Sequence, residues 1–172
     1  AQGIKYIEDF KLQNFEKNPV VICSLGDNSV TEGEVAEAFQ FAALHQLPII
    51  FLVQDNEWGI SVTKEEARTS DAYDYAAGFV GLNRMRIDGT DFVESFIQMQ
   101  KAVHFVREER KPLLVCAKTV LIGHHTSGVR REFYRDEADL AKHRAKDPGI
   151  ILKKYLLEEG FSEETLSQIE TE

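Results

Sequence analysis

The chain has little cysteine, no long basic run and no repeats or low-complexity segment. No apolar run approaches the ~20 residues that a membrane-spanning helix needs. A balance of 29 acidic against 20 basic residues leaves a net charge of −9. Nucleic acid and anionic membrane surfaces are therefore poor partners. The two cysteines, Cys23 and Cys116, each lie within an apolar run. They read as buried, reduced thiols in strands, as in a reducing cytoplasm, rather than as a disulfide. No positively charged, apolar leader opens the chain, so a secreted precursor is not expected. Ala1 to Tyr6 reads instead like the middle of a helix, which points to a piece of a longer chain truncated at its N-terminus.

What is present suits one sizeable core: 172 residues at 43% hydrophobic content, read as a single domain over 1–172. Strand-like runs occur at Val20–Ser24, Pro48–Val53, Leu82–Ile87 and Pro112–Val120, with helical patterns between them. That alternation predicts a three-layer α/β/α fold with a mainly parallel sheet, and Ile49 to Val53 has the continuous apolar character of a strand buried on both faces. Thr31 and Glu34 are spaced as a capping box for the first helix, whose core face is Val35, Ala38, Phe39, Ala42 and Ala43. Asp91 is placed to cap a later helix with Phe92, Val93, Phe96, Val103 and Val106 on its core face. Residues 121–135 lose all periodicity and read as a functional loop. Helices follow at Glu137–Ala145 and Ile150–Glu159, the second started by Asp147-Pro148 and stopped by Gly160. The acidic tail over 161–172 reads as a short helix or a frayed end.

Gly26-Asp27-Asn28-Ser29 falls where the first strand turns into the first helix. In open α/β sheets, ligands bind beyond the carboxyl ends of strands, where free backbone N–H groups favour phosphate. Asp27 offers the hard carboxylate oxygen that Mg²⁺ takes. The neighbouring strand ends at Gln54-Asp55-Asn56-Glu57-Trp58, so Asn56 can bring an amide oxygen to the same crevice. Asp and Asn after strands also serve as helix caps and turn formers, and the residue types alone leave both readings open.

The wider text carries a resemblance. A Gly-Asp pair followed about thirty residues later by Asn at a strand end resembles the thiamine-diphosphate motif. Gly26 to Ser61, GDNSVTEGEVAEAFQFAALHQLPIIFLVQDNEWGIS, is similar to the α-type half of the decarboxylating component of 2-oxo acid dehydrogenase complexes. Gly123-His124-His125-Thr126-Ser127 resembles the branched-chain members most, and the likeness runs from about Val20 to Tyr155. It implies a thiamine-diphosphate-binding fold and oxidative decarboxylation of a 2-oxo acid, the acyl group passing to a lipoyl arm on the acyltransferase component. It implies Mg²⁺ held by Asp27, Asn56 and the backbone carbonyl of Trp58, and diphosphate held by the N–H groups of Asn28 and Ser29. It places His125 at the diphosphate and the reacting centre, as the catalytic residue. It also implies a β-type half, separate or fused downstream, that supplies the activating glutamate.

Three departures stand out. Asn28 replaces a common glycine, Leu121 stands where branched-chain enzymes carry arginine, and Gln54 stands where they often carry an arginine to the diphosphate. Arg130, Arg131 and Arg135 can clamp an anion or pair with nearby acids. His45, His104 and His143 read as helix-surface residues. The alternatives to a branched-chain substrate are a pyruvate- or acetoin-type enzyme of the same family, a transketolase-like enzyme, or a non-catalytic subunit-interaction fragment.

Overall fold

Pro48 and Pro112 lack the N–H that a strand ladder needs, and in the computed structural model each sits one residue before a strand begins. The structure describes residues 1–13 and 16–171. In chain order the strands are β1 (Val21–Gly26), β2 (Ile49–Asp55), β3 (Trp58–Gly59), β4 (Val62–Thr63), β5 (Asn83–Asp88) and β6 (Leu113–Lys118). The helices are α1 (Gln2–Asp9), α2 (Gly33–His45), α3 (Lys64–Ala67), α4 (Ala72–Tyr75), α5 (Phe92–Glu109), α6 (Glu137–Arg144), α7 (Pro148–Glu158) and α8 (Glu163–Thr171). The expected strands are all present, shifted by one or two residues.

Four of them form a parallel sheet in the order β1-β2-β6-β5, with Val21 opposite Ile49 and Ile50 opposite Leu113. Alternating side chains of β2 and β6 feed two cores. Phe51, Val53, Leu114 and Cys116 pack with Phe39, Ala42 and Ala43 of α2 on one face. Ile50, Leu113, Val115 and Ala117 pack with Ala102 and Val106 of α5 on the other. Each large side chain so buried contributes roughly 1.5–3 kcal/mol, and the arrangement is the expected three-layer one.

Several expectations need correcting. Thr31 does not cap α2. Residues Asn28–Thr31 form a 3₁₀ turn whose last hydroxyl donates back to the Asn28 carbonyl, and the helix starts two residues later with no side-chain cap. Phe92 and Phe96 are not core residues: they stack on each other in solvent, because the inward stripe of α5 runs through Met99, Ala102, Val103 and Val106. Cys23 is exposed because β1 is the edge strand, while Cys116 is buried, and both are free thiols. His143 is buried rather than on a helix surface. Between β2 and β5 no long helix forms; the chain instead makes the β3–β4 hairpin and two single-turn helices. Among the described residues no helix is long and apolar enough to cross a membrane.

Candidate functional site

The parallel sheet aligns the carboxyl ends of β1, β2 and β6 at one edge, with Gly26 opposite Gln54 and Asp55 opposite Lys118. Asp27 and Asp55 therefore arrive side by side, and both are buried, at 3% and 0% exposure. Two buried carboxylates require a cation. Arg68 provides it: one guanidinium nitrogen donates to Asp27 Oδ2 at 2.6 Å and to Asp55 Oδ1 at 2.8 Å, and the other donates to Asn28 Oδ1 at 2.8 Å. Lys118 Nζ donates to the second Asp55 oxygen at 2.5 Å. Burial pushes the Asp27 carboxyl above its usual range, against the opposing pull of Arg68.

Arg68 reaches this point because the chain folds back on itself after β2. Asn56 Oδ1 accepts the Trp58 N–H at 2.9 Å, an Asx turn, and Glu57 and Ile60 take positive φ, at 67° and 60°. The β3–β4 hairpin follows, then α3, fixed by a complete capping box between Thr63 and Glu66. Arg68 is the first residue beyond it. Gly59 is held against Asn28 so closely that a Cβ there would fall 1.7 Å from Asn28 Nδ2. Any side chain at this position would displace the Asn28 side chain, and with it the acceptor of the Arg68 guanidinium.

Glu57 ties the same turn to α6. Burial pushes its carboxyl up, but hydrogen bonds from Lys142 at 2.8 Å and Lys64 at 2.5 Å outweigh that and hold it at about 2. Trp58 is buried, donates from Nε1 to Asp139 of α6 at 3.4 Å and packs on Tyr134. A cavity of about 310 Å³ lies between this turn, the ends of β5 and β6, and α6, lined in part by Asp88, Thr90, Lys118 and His143. A second, of about 280 Å³, opens against Arg68, Ser70 and Lys118.

The structure thus brings Asp27, Asn28, Ser29, Asn56 and Trp58 to neighbouring turns at one sheet edge. Ser29 Oγ donates to the Gly26 carbonyl at 2.7 Å, which tightens the first turn. Gln54 lies at the sheet end but turns to β1, donating to Ser24 Oγ at 2.7 Å. Among the described residues His125 is exposed and has no hydrogen-bond partner. Arg135, by contrast, is buried, with Nε donating to Asp139 at 2.5 Å and a terminal nitrogen donating to the Leu121 carbonyl at 2.6 Å. It closes the base of the loop rather than facing solvent. Arg130 and Arg131 pair with Glu132. Four buried side-chain atoms among the described residues make no hydrogen bond: Arg131 Nε, Tyr134 Oη, Arg135 Nη2 and His143 Nε2. All four belong to the loop or to the helix beneath it.

The donor set fits a magnesium diphosphate. A buried carboxylate and an amide oxygen stand on adjacent βα turns, and a guanidinium already sits on the carboxylate as a stand-in cation. Residues that the spacing of motifs did not single out are Asp55, Arg68 and Lys118. Only the acid of Gln54-Asp55-Asn56, ending an apolar strand, gave a signal.

Residues 9–172 match the family described as Dehydrogenase E1 component. The pyruvate dehydrogenase E1 component subunit alpha of Rickettsia conorii is 31% identical, over 98% of this chain and 50% of its own length. The 3-methyl-2-oxobutanoate dehydrogenase subunit alpha of Mycobacterium tuberculosis is 32% identical, over 91% of this chain and 42% of its own length. A solved transketolase from Pichia stipitis, in complex with fructose 6-phosphate, superposes on 59% of this chain and 15% of its own with a TM-score of 0.50 at 25% identity. The chain belongs to the dehydrogenase E1 component family, in its alpha-type part. It spans about half or less of the length of these curated relatives.

Proposed function

We propose that this chain binds the diphosphate and Mg²⁺ of thiamine diphosphate in an enzyme that oxidatively decarboxylates a 2-oxo acid and passes the acyl group to a lipoyl arm. The observation that carries the reading is the pair of buried carboxylates at the ends of β1 and β2, on neighbouring turns bridged by Arg68. Asp27 and Asn56 would hold Mg²⁺ with side-chain oxygens and Trp58 with its carbonyl. Asn28 and Ser29 would give backbone N–H groups to the diphosphate, as the start of a helical turn is suited to do. Gln54 would border the same diphosphate, and His125 would reach the reacting centre from its loop. Thiamine diphosphate, when bound, supplies the electron sink for loss of CO₂. This chain's own work is to orient the charged end of that group and to keep water from it, with the 121–135 loop as cover.

The β-type half, fused or separate, and the lipoyl acyltransferase component are the partners in this proposal. For substrate we favour a branched-chain 2-oxo acid, on the Gly123 to Ser127 text. Relatives named for pyruvate and for 3-methyl-2-oxobutanoate stand at nearly equal identity, so pyruvate is the competing choice. The cytoplasmic assignment rests on cysteine usage. Decarboxylation of 3-methyl-2-oxobutanoate and of pyruvate by the full-length protein with its β-type partner tests this. A higher kcat/KM for the branched acid is expected; a preference for pyruvate would overturn the substrate choice, and turnover of neither would overturn the activity. Residues 1–172 alone are expected to turn over nothing, because the activating glutamate is assigned to the β-type half.

A further inference from the structure

Arg68 is the least explained charge at the site. The position from which the family resemblance implies an arginine to the diphosphate is Gln54, which is neutral and turned toward Ser24. Yet the crevice does not lack a guanidinium. Arg68 brings one from the other side, with its side chain only 7% exposed and three acceptors within 2.8 Å. One of those acceptors is Asp27, the carboxylate that Mg²⁺ would use.

We infer that Arg68 is the cation that makes metal and diphosphate bind together at this site. The inference rests on the proposed cofactor reading. In the arrangement seen here Arg68 neutralises Asp27. A divalent cation arriving alone would meet a guanidinium already bonded to the same carboxylate, and like charges at that distance repel. A diphosphate arriving with the metal changes the balance. Asp27 would then give its oxygen to Mg²⁺, and the Arg68 nitrogen that donates to Asp27 would be free to donate to a phosphate oxygen. A guanidinium suits that exchange because its planar fork can keep Asp55 while changing one partner. Asp55, fully buried and also held by Lys118, is the pivot. The charge missing at position 54 is thereby supplied from position 68.

A purely structural ion pair would show no such coupling, and two titrations separate the cases. The full-length protein with its β-type partner is titrated with Mn²⁺ alone, followed by electron paramagnetic resonance, and with thiamine diphosphate in the presence of Mn²⁺, followed by calorimetry. Wild type is expected to bind Mn²⁺ weakly alone and tightly with thiamine diphosphate. Arg68→Gln is expected to bind Mn²⁺ alone about tenfold more tightly, and thiamine diphosphate about ten- to a hundredfold more weakly, the worth of one charge-assisted hydrogen bond. Arg68→Lys keeps the charge and serves if the neutral variant fails to fold. It is expected to leave Mn²⁺ binding weak and to lower thiamine diphosphate affinity about tenfold, because an ammonium cannot span the same acceptors in one plane. Wild-type affinities in the folded variants would overturn the role of Arg68 alone. Failure of the wild-type protein to bind thiamine diphosphate would overturn the cofactor reading, and this inference with it.

Discussion

His143 Nδ1 accepts the N–H of Leu121 at 3.0 Å, tying α6 to the first residue of the 121–135 loop. Only a neutral imidazole with its proton on Nε2 can do this, since both nitrogens of the charged ring are donors. Burial lowers the His143 pKa below its ordinary 6.5, the Arg135 charge adds to that, and Asp139 opposes it. The unfolded chain therefore takes up a proton at a higher pH than the folded one. Stability from this group is fully present above pH 6.5 and is lost as the pH falls from there toward the lower folded value. His143→Leu is expected to cost about 1–3 kcal/mol, by stranding the Leu121 N–H, and to flatten that pH dependence. Denaturant unfolding between pH 5 and pH 8 checks it; an unchanged slope would remove His143 from the account.

Arg135 closes the other end of the loop, through Leu121 and Asp139. Between these anchors Gly123 to Arg130 buries little, and fixing each residue costs ~1–2 kcal/mol. Hydrogen exchange over His124–Val129 is expected to be fast in the chain alone and slowed when thiamine diphosphate, Mg²⁺ and the β-type partner are all present. Strong protection in the bare chain would mean that the loop is built into the domain. Arg135→Ala is expected to speed exchange at Leu121 and Ile122 as well, by removing the anchor.

The two thiols differ. Burial pushes Cys116 up to about 11, whereas Cys23 lies exposed on the edge strand. A thiol reagent at pH 8 is expected to modify one cysteine rapidly in the native chain and two after denaturation, because reactivity follows thiolate fraction and access. Cys23→Ser should abolish the fast phase; its survival would contradict the placement of β1 at the sheet edge.

The two central strands were legible because β2 and β6 are apolar on both faces and each follows a proline, and β1 and β2 end in Gly-Asp and Asp-Asn turns. The turn residues Asp27 and Asn56 were legible for the same reason: chemistry beyond a parallel sheet collects at strand ends. Side-chain direction was harder to read. The Thr31 and Glu34 spacing imitates a capping box, but the backbone makes a 3₁₀ turn first, while the real box at Thr63 and Glu66 satisfies the same pattern. Phe92 and Phe96 are apolar yet sit off the inward stripe of α5. Arg68 was illegible. It follows Asp55 by thirteen positions, through a hairpin and a single helical turn, and no spacing rule predicts where such a path ends.

The claim that Asp27 is the metal ligand carries the functional account, and calorimetric titration of the full-length enzyme with its β-type partner tests it most directly. Thiamine diphosphate is titrated in the presence of Mg²⁺ into wild type and into Asp27→Ala. Without the carboxylate, Arg68 and the backbone N–H groups would have to hold several negative charges with no bridging metal ion. Affinity is expected to fall by about a hundredfold or more, corresponding to ~3 kcal/mol for a buried charged ligand. Equal affinity in wild type and in a folded Asp27→Ala protein would contradict the metal assignment and the site built on it.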